Sequence, residues 1–211
     1  MIVIPSINAE TFEEVKEKIK LVEPYVPPAG GWVHLDISDG TFSKTVTWHE
    51  PSDLLSLETS LNMEAHLMIN NIEEKIDNWL VTQVKRIFFH LGACNDPDFV
   101  IEKIKNAGKE PGIAISPDES WTKAVHFKGK VNNFQILGVA PGPAGQKTEE
   151  ETFTRIRELK NICGSCIIEA DGGMNINVAK RAKEAGADII VAATAIFNGN
   201  IKKNIEELKC I

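Results

Sequence analysis

The stretch from Cys166 to Ala192, CIIEADGGMNINVAKRAKEAGADIIVA, holds one complete βαβ unit. An apolar run over 166–170 reads as a strand, Gly172-Gly173 as a tight turn, 175–185 as a helix and 188–192 as the next strand. The same alternation extends back to the first residues. Further strand patterns lie near 2–5, 31–37, 62–69, 85–90, 111–115 and 132–139. Helical patterns lie near 10–22, where Phe12, Val15, Ile19 and Val22 share a face, then weakly near 51–57, and near 71–82, 97–107, 119–125, 149–161 and 200–209. Asn8 and Thr148 stand where N-caps are expected, and Gly108 and Gly186 where C-terminal caps belong. Eight βα units predict an α/β fold, a single-domain TIM (β/α)8 barrel over residues 1–211. A doubly wound open sheet fits less well, because the first βα turn, Pro5-Ser6-Ile7-Asn8, lacks the glycine-rich dinucleotide fingerprint.

Composition agrees with a globular enzyme-sized domain. Hydrophobic residues make up 43% and charged residues 25%, which excludes disorder, collagen and coiled coil. The longest apolar run, Ile189 to Ala193, is far shorter than the roughly 18 residues a membrane helix needs, so no membrane partner is expected. The first residues carry no basic segment before their apolar stretch, and a cytoplasmic location is the expectation. With 23 basic and 30 acidic residues the net charge is −7, which argues against nucleic acid as a partner. Cys163-Gly164-Ser165-Cys166 has redox spacing, yet a pair of ordinary buried thiols explains it better.

In a barrel of this kind the active site forms at the C-terminal strand ends. Those ends are polar here: Ser6, His34 with Asp36, His66, His90, Ser116, Asp171 and Thr194. His34 and Asp36 lie two apart on a strand and so share a face, with Leu35 turned toward the helices. Each residue alone reads most simply as a hydrogen-bonded core group or a loop cap. Together they read differently, because two buried carboxylates beside each other are costly without a cation. Two imidazoles and two carboxylates suit zinc, with iron(II) or manganese as alternatives. Gly142-Pro143-Ala144-Gly145, Gly172-Gly173 and Ala193-Thr194 follow the last three strands, where barrels commonly hold a phosphate through backbone N–H groups.

These residues resemble the ribulose-phosphate 3-epimerase family. The likeness runs through Pro5-Ser6-Ile7, His34 to Phe42, Ala65 to Ile69, Phe89-His90, Gly112 to Ile115, Ala140 to Gln146, Asp171-Gly172-Gly173 and Ala195-Ile196-Phe197. The resemblance implies one divalent metal ion on His34, Asp36, His66 and Asp171, with Asp36 and Asp171 as catalytic groups. It implies a small-molecule sugar-phosphate substrate, bound by Ser6, His66, Met68, Gly142, Gly145, Gly172, Gly173, Ala193 and Thr194. The implied reaction inverts C3 of a ketopentose 5-phosphate, D-ribulose 5-phosphate to D-xylulose 5-phosphate, through a cis-enediolate in the pentose phosphate pathway. Departures from the family cluster at the phosphate loops: Pro143-Ala144 replaces Phe-Gly, and Ala193-Thr194 replaces Gly-Ser. Ser38 and Leu137 stand where methionines are usual, and Gly92 where an acidic residue is usual. A non-catalytic phosphosugar-binding barrel and an epimerase of another ketose phosphate are the competing readings. An aldolase or decarboxylase of the orotidine type would need a lysine at the third strand end, where His66-Leu67-Met68-Ile69-Asn70 has none. The sequence leaves a homo-oligomer open.

Overall fold

The computed structural model describes residues 1–27, 30–143 and 145–211. Eight parallel strands among these residues close into a barrel in sequence order. They are β1 (Ile2–Ile7), β2 (Trp32–Ser38), β3 (Asn62–Met68), β4 (Arg86–His90), β5 (Glu110–Ile115), β6 (Asn133–Leu137), β7 (Ile167–Asp171) and β8 (Ile189–Ala192). The helices are α1 (Phe12–Val22), α2 (Ile72–Leu80), α3 (Pro97–Asn106), α4 (Thr122–Val125), α5 (Glu151–Cys163), α6 (Ile176–Ala185), α7 (Thr194–Phe197) and α8 (Ile201–Lys209). The weak pattern near 51–57 is a 3-10 helix, Pro51–Ser56, so the β2–β3 link carries no α-helix among the described residues. None of the described helices is long and apolar enough to cross a membrane.

Strand alternation divides the apolar residues between two cores. Outward residues such as Val33, Leu35 and Ile37 join the large cluster under the helices, together with Val15, Ile19 and Val22 of α1. Inside the barrel only two small apolar clusters exist among the described residues: Ile4, Ile189 and Val191, and Phe88, Ala114 and Leu137. The remaining interior is polar and buried, including His34, Glu64, Gln135 and Glu169. Most of the hydrophobic stabilisation therefore comes from the layer between sheet and helices.

Two capping expectations are corrected. The side chain of Thr11, not Asn8, accepts from the Glu14 N–H and caps α1, because β1 runs on to Ile7 and the helix begins only at Phe12. Thr148 does not cap α5, whose N-cap is Glu150; its hydroxyl donates to the Gly172 carbonyl at 2.8 Å. Gly186 does end α6 in the left-handed region, and Gly108 has φ +72° just past α3. The cysteine pair also differs from expectation: Cys163 and Cys166 are joined as a disulfide. The turn at Gly164 brings their Cα atoms to 5.5 Å, within disulfide range, and both residues stay in the outer core.

Gly112 on β5 shows how little slack the barrel interior has. A Cβ there would collide with the ring of Phe88, itself packed on Ala114 and Leu137. Gly112→Ala should cost about 1–3 kcal/mol through overpacking, measured by urea unfolding. An unchanged unfolding midpoint would mean that the interior relaxes freely.

Candidate active site

Strand pairing assembles the mouth of the barrel. Asp36 on β2 pairs with His66 on β3, and Ser6 on β1 pairs with His34, so four of the polar strand-end groups become neighbours through backbone register alone. Asp171 arrives at the end of β7, beside Leu137 of β6. Nε2 of His34 lies 3.4 Å from Oδ1 of Asp36, Nδ1 of His66 3.3 Å from the same oxygen, and Nδ1 of His66 3.8 Å from Oδ2 of Asp171. One ligand atom from each of the four residues lies within 4.8 Å of all the others. A tetrahedral ion with bonds of about 2 Å separates its ligand atoms by about 3.3 Å, so this N2O2 donor set fits a divalent cation after small adjustments.

Each putting-together of ligand and strand has a partner behind it. Ser6 donates to Oδ2 of Asp36 at 2.6 Å, and Gln135 Nε2 donates to Oδ2 of Asp171 at 3.2 Å. Nδ1 of His34 lies 2.8 Å from Oε1 of Glu64, and Nε2 of His66 lies 2.9 Å from Nε2 of His90. His90, stacked on Phe42 at 4.4 Å between ring centroids, thus stands behind His66 and outside the four-residue cluster. Its Nδ1 faces Ser116 Oγ at 3.1 Å and Glu119 at 3.8 Å. The Glu119 carboxylate occupies the room left by Gly92, whose N–H donates to it at 2.9 Å.

Above the four groups opens a cavity of about 430 Å³. Every residue expected to bind substrate lines it: Ser6, His66, Met68, Gly142, Gly145, Gly172, Gly173, Ala193 and Thr194. His34 lies beneath, fully buried. Gly173 has φ +69°, and a Cβ there would lie 2.7 Å from both the Gln146 carbonyl oxygen and the Thr148 nitrogen, so only glycine fits against that loop. Pro143 lines the cavity and its carbonyl accepts from Gln146 at 3.0 Å, whereas Ala144 lies outside the described residues. Ser38 is buried and outside the cavity lining; its hydroxyl donates to the Thr45 carbonyl at 2.7 Å, holding the loop after β2.

A sequence model described as the ribulose-phosphate 3 epimerase family matches residues 2–197. The chain belongs to the ribulose-phosphate 3-epimerase family. A relative named ribulose-phosphate 3-epimerase from Methanocaldococcus jannaschii is 31% identical over 215 residues, covering 97% of this chain and 88% of that one. Another of that name from Chlamydia trachomatis is 32% identical over 173 residues, 78% of this chain and 74% of the relative. Among solved structures, 3-hexulose-6-phosphate synthase superposes with TM-score 0.71 at 14% identity, covering 100% of this chain and 99% of the other. Orotidine 5'-phosphate decarboxylase from Pyrococcus horikoshii superposes with TM-score 0.67 at 16% identity, covering 98% and 97%. At such identities the likeness to these two is one of fold.

Charge in this epimerase-family site is unevenly distributed. Burial works against ionisation of Asp36, but hydrogen bonds from His34 and His66 outweigh it and hold its pKa far below the usual range. Burial, followed by the charge of Asp36, pushes Asp171 up to about 7. Burial also opposes charge on His34, yet Asp36 and Glu64 raise its pKa well above normal. Burial keeps His90 neutral, with a pKa lowered to about 4. Below these groups Glu169 is raised well above its ordinary value by burial and by Glu64, and neither of its oxygens has a hydrogen-bond partner among the described residues.

Asp171 and His34 both have folded-state pKa values above their unfolded ones, so the stability they contribute is present at low pH and lost as pH rises. For Asp171 that loss spans the window from its ordinary value near 3.8 to about 7. A cation must displace the same protons, so its apparent affinity rises across the same window. His66 and His90, whose pKa values burial lowers, act in the opposite sense below their ordinary value of 6.5, so thermal melts at about pH 6.5 and about pH 8 isolate the effect: the metal-free Tm should be lower at the higher pH, and the zinc-induced increase larger there. A zinc effect independent of pH would contradict this charge distribution.

Proposed function

We propose that this family member is a metal-dependent epimerase that inverts C3 of a ketopentose 5-phosphate, interconverting D-ribulose 5-phosphate and D-xylulose 5-phosphate. The observation that carries the reading is the pair of carboxyl groups at the foot of the cavity, Asp36 from β2 and Asp171 from β7, each oriented by its own donor. Inversion requires one group to remove a proton from one face of C3 and a second to deliver a proton to the other face. Asp36 and Asp171 are the two proton-transfer groups, and their roles exchange when the reaction runs backward. His34, Asp36, His66 and Asp171 would hold a divalent ion, zinc in the first instance, which when bound supplies positive charge against the negative charge developing on the substrate oxygens. Ser6 keeps Asp36 turned toward the substrate, and Met68 excludes water from one side of the cavity. The phosphate is held between Gly142 and Gly145, Gly172-Gly173 and Ala193-Thr194, by backbone N–H groups and the Thr194 hydroxyl.

Turnover in deuterated water should introduce deuterium at C3, and Asp36→Asn and Asp171→Asn should each lower kcat by roughly 100-fold or more. Substantial turnover in both variants would remove the two-base mechanism.

The loop after β6 supplies a separate check on phosphate. Pro143 has no N–H to give, so Pro143→Gly combined with Ala144→Gly should lower KM for ribulose 5-phosphate and leave kcat nearly unchanged, as uniform binding requires. If KM does not fall and unphosphorylated ribulose reacts equally well, the phosphate assignment is wrong.

A further inference from the structure

Beneath the barrel mouth a chain of buried polar groups runs from the floor of the barrel to His34. Glu64 lies two residues before His66 on β3, pairs in register with His34, and is fully buried. Its Oε1 is 2.8 Å from Nδ1 of His34, and its Oε2 accepts from Nη1 of Arg86 at 2.9 Å. Arg86 in turn donates through Nε to Glu110 at 2.9 Å, and its guanidinium lies 4.3 Å from the centroid of the Trp32 ring. Arg86 is therefore fixed on three sides, and a fork-shaped donor fixed in this way aims its acceptor. A second carboxylate, Glu169, also approaches His34, but at 3.6 Å and with no hydrogen-bond partner among the described residues. Glu64 wins the imidazole by distance and by its anchor.

An imidazole has one lone pair for a metal, and the hydrogen bond at its other nitrogen decides which nitrogen carries it. We propose that Glu64, anchored by Arg86, is a positioning residue that holds a proton on Nδ1 of His34 and so leaves Nε2, the nitrogen facing Asp36 and the barrel mouth, to give its lone pair to a cation. His66 is turned the opposite way, with Nδ1 toward Asp36 and Nε2 toward His90, so the two histidines need opposite tautomers and cannot share one supporting group. Glu64 touches neither substrate nor cation; it acts through His34. The inference rests on the metal site described under the proposed function and extends it by one residue downward.

The test compares zinc binding and the His34 tautomer in the wild type and three variants of the full chain. Removing Glu64 alone would take away one of the two carboxylates that partner the buried Arg86 and threaten the fold, so Glu64→Leu is paired with Arg86→Met. Circular dichroism and a thermal melt verify that the double variant folds. Its zinc dissociation constant, from competition with a chromophoric chelator, should rise about 10- to 100-fold. In zinc-loaded protein labelled with 15N-histidine, the slowly exchanging Nδ1–H signal of His34 should be present in the wild type and absent or exchange-broadened in the double variant. Glu64→Gln keeps an acceptor oxygen and should retain the signal, with a smaller loss of affinity. Glu169→Gln should leave zinc affinity within about 3-fold, since that carboxylate does not hold the imidazole. A folded double variant that binds zinc as the wild type does, with the His34 proton still on Nδ1, would overturn the role of Glu64 alone. Failure of the wild type itself to take up zinc would overturn the metal site and this inference with it.

Discussion

Two carboxyl groups and two imidazoles share the end of a barrel from which most water is excluded, and that crowding governs the structure around them. Left alone, Asp36 and Asp171 cannot both hold charge comfortably, which is why one is held ionised by imidazole donors while the other is driven toward a neutral pKa. A cation among them would resolve the conflict. The same conflict dictates the supporting cast: Ser6, Gln135, Glu64 and His90 each satisfy the far side of one group.

That demand explains the composition of the barrel interior. A TIM barrel is usually filled by layers of branched apolar side chains. Here the apolar filling shrinks to two small clusters, and the layer beneath the mouth is given over to Glu64, Glu169, Gln135 and Arg86. Such a layer contributes little net stability, because desolvating charges offsets much of their attraction. The large apolar cluster between sheet and helices carries the fold instead. The division lets the interior serve geometry while the exterior serves cohesion.

The barrel and the clustering of polar groups at its mouth are legible because both follow the two-residue period of a strand: His34 with Asp36, and an apolar residue between them. Glu64 and Glu169 obey the same period, two before His66 and two before Asp171, so their inward orientation could have been read from sequence. What the period does not reveal is which strands meet across a closed ring, and so which acid reaches which histidine. Glu119 leaves no local trace at all, since it comes from the loop after β5 to fill the space at Gly92, just past the end of β4. The capping residues of α1 and α5 were misplaced because strand and loop ends are set by tertiary packing rather than by the first polar residue available. The Cys163–Cys166 bond arises from a glycine turn, whose curvature the spacing alone does not specify.

The lower half of the barrel is plugged, with the Trp32–Arg86 stack at its floor and the Ile4, Ile189 and Val191 cluster beside it. The cavity is consequently a blind well rather than a tunnel. Whatever enters head-first must back out the way it came, and two epimers that differ at one carbon queue at a single doorway. Both epimers are bound and interconverted in that one well, so each competes with the other for the empty protein, and the net direction of conversion follows how far their ratio stands from equilibrium.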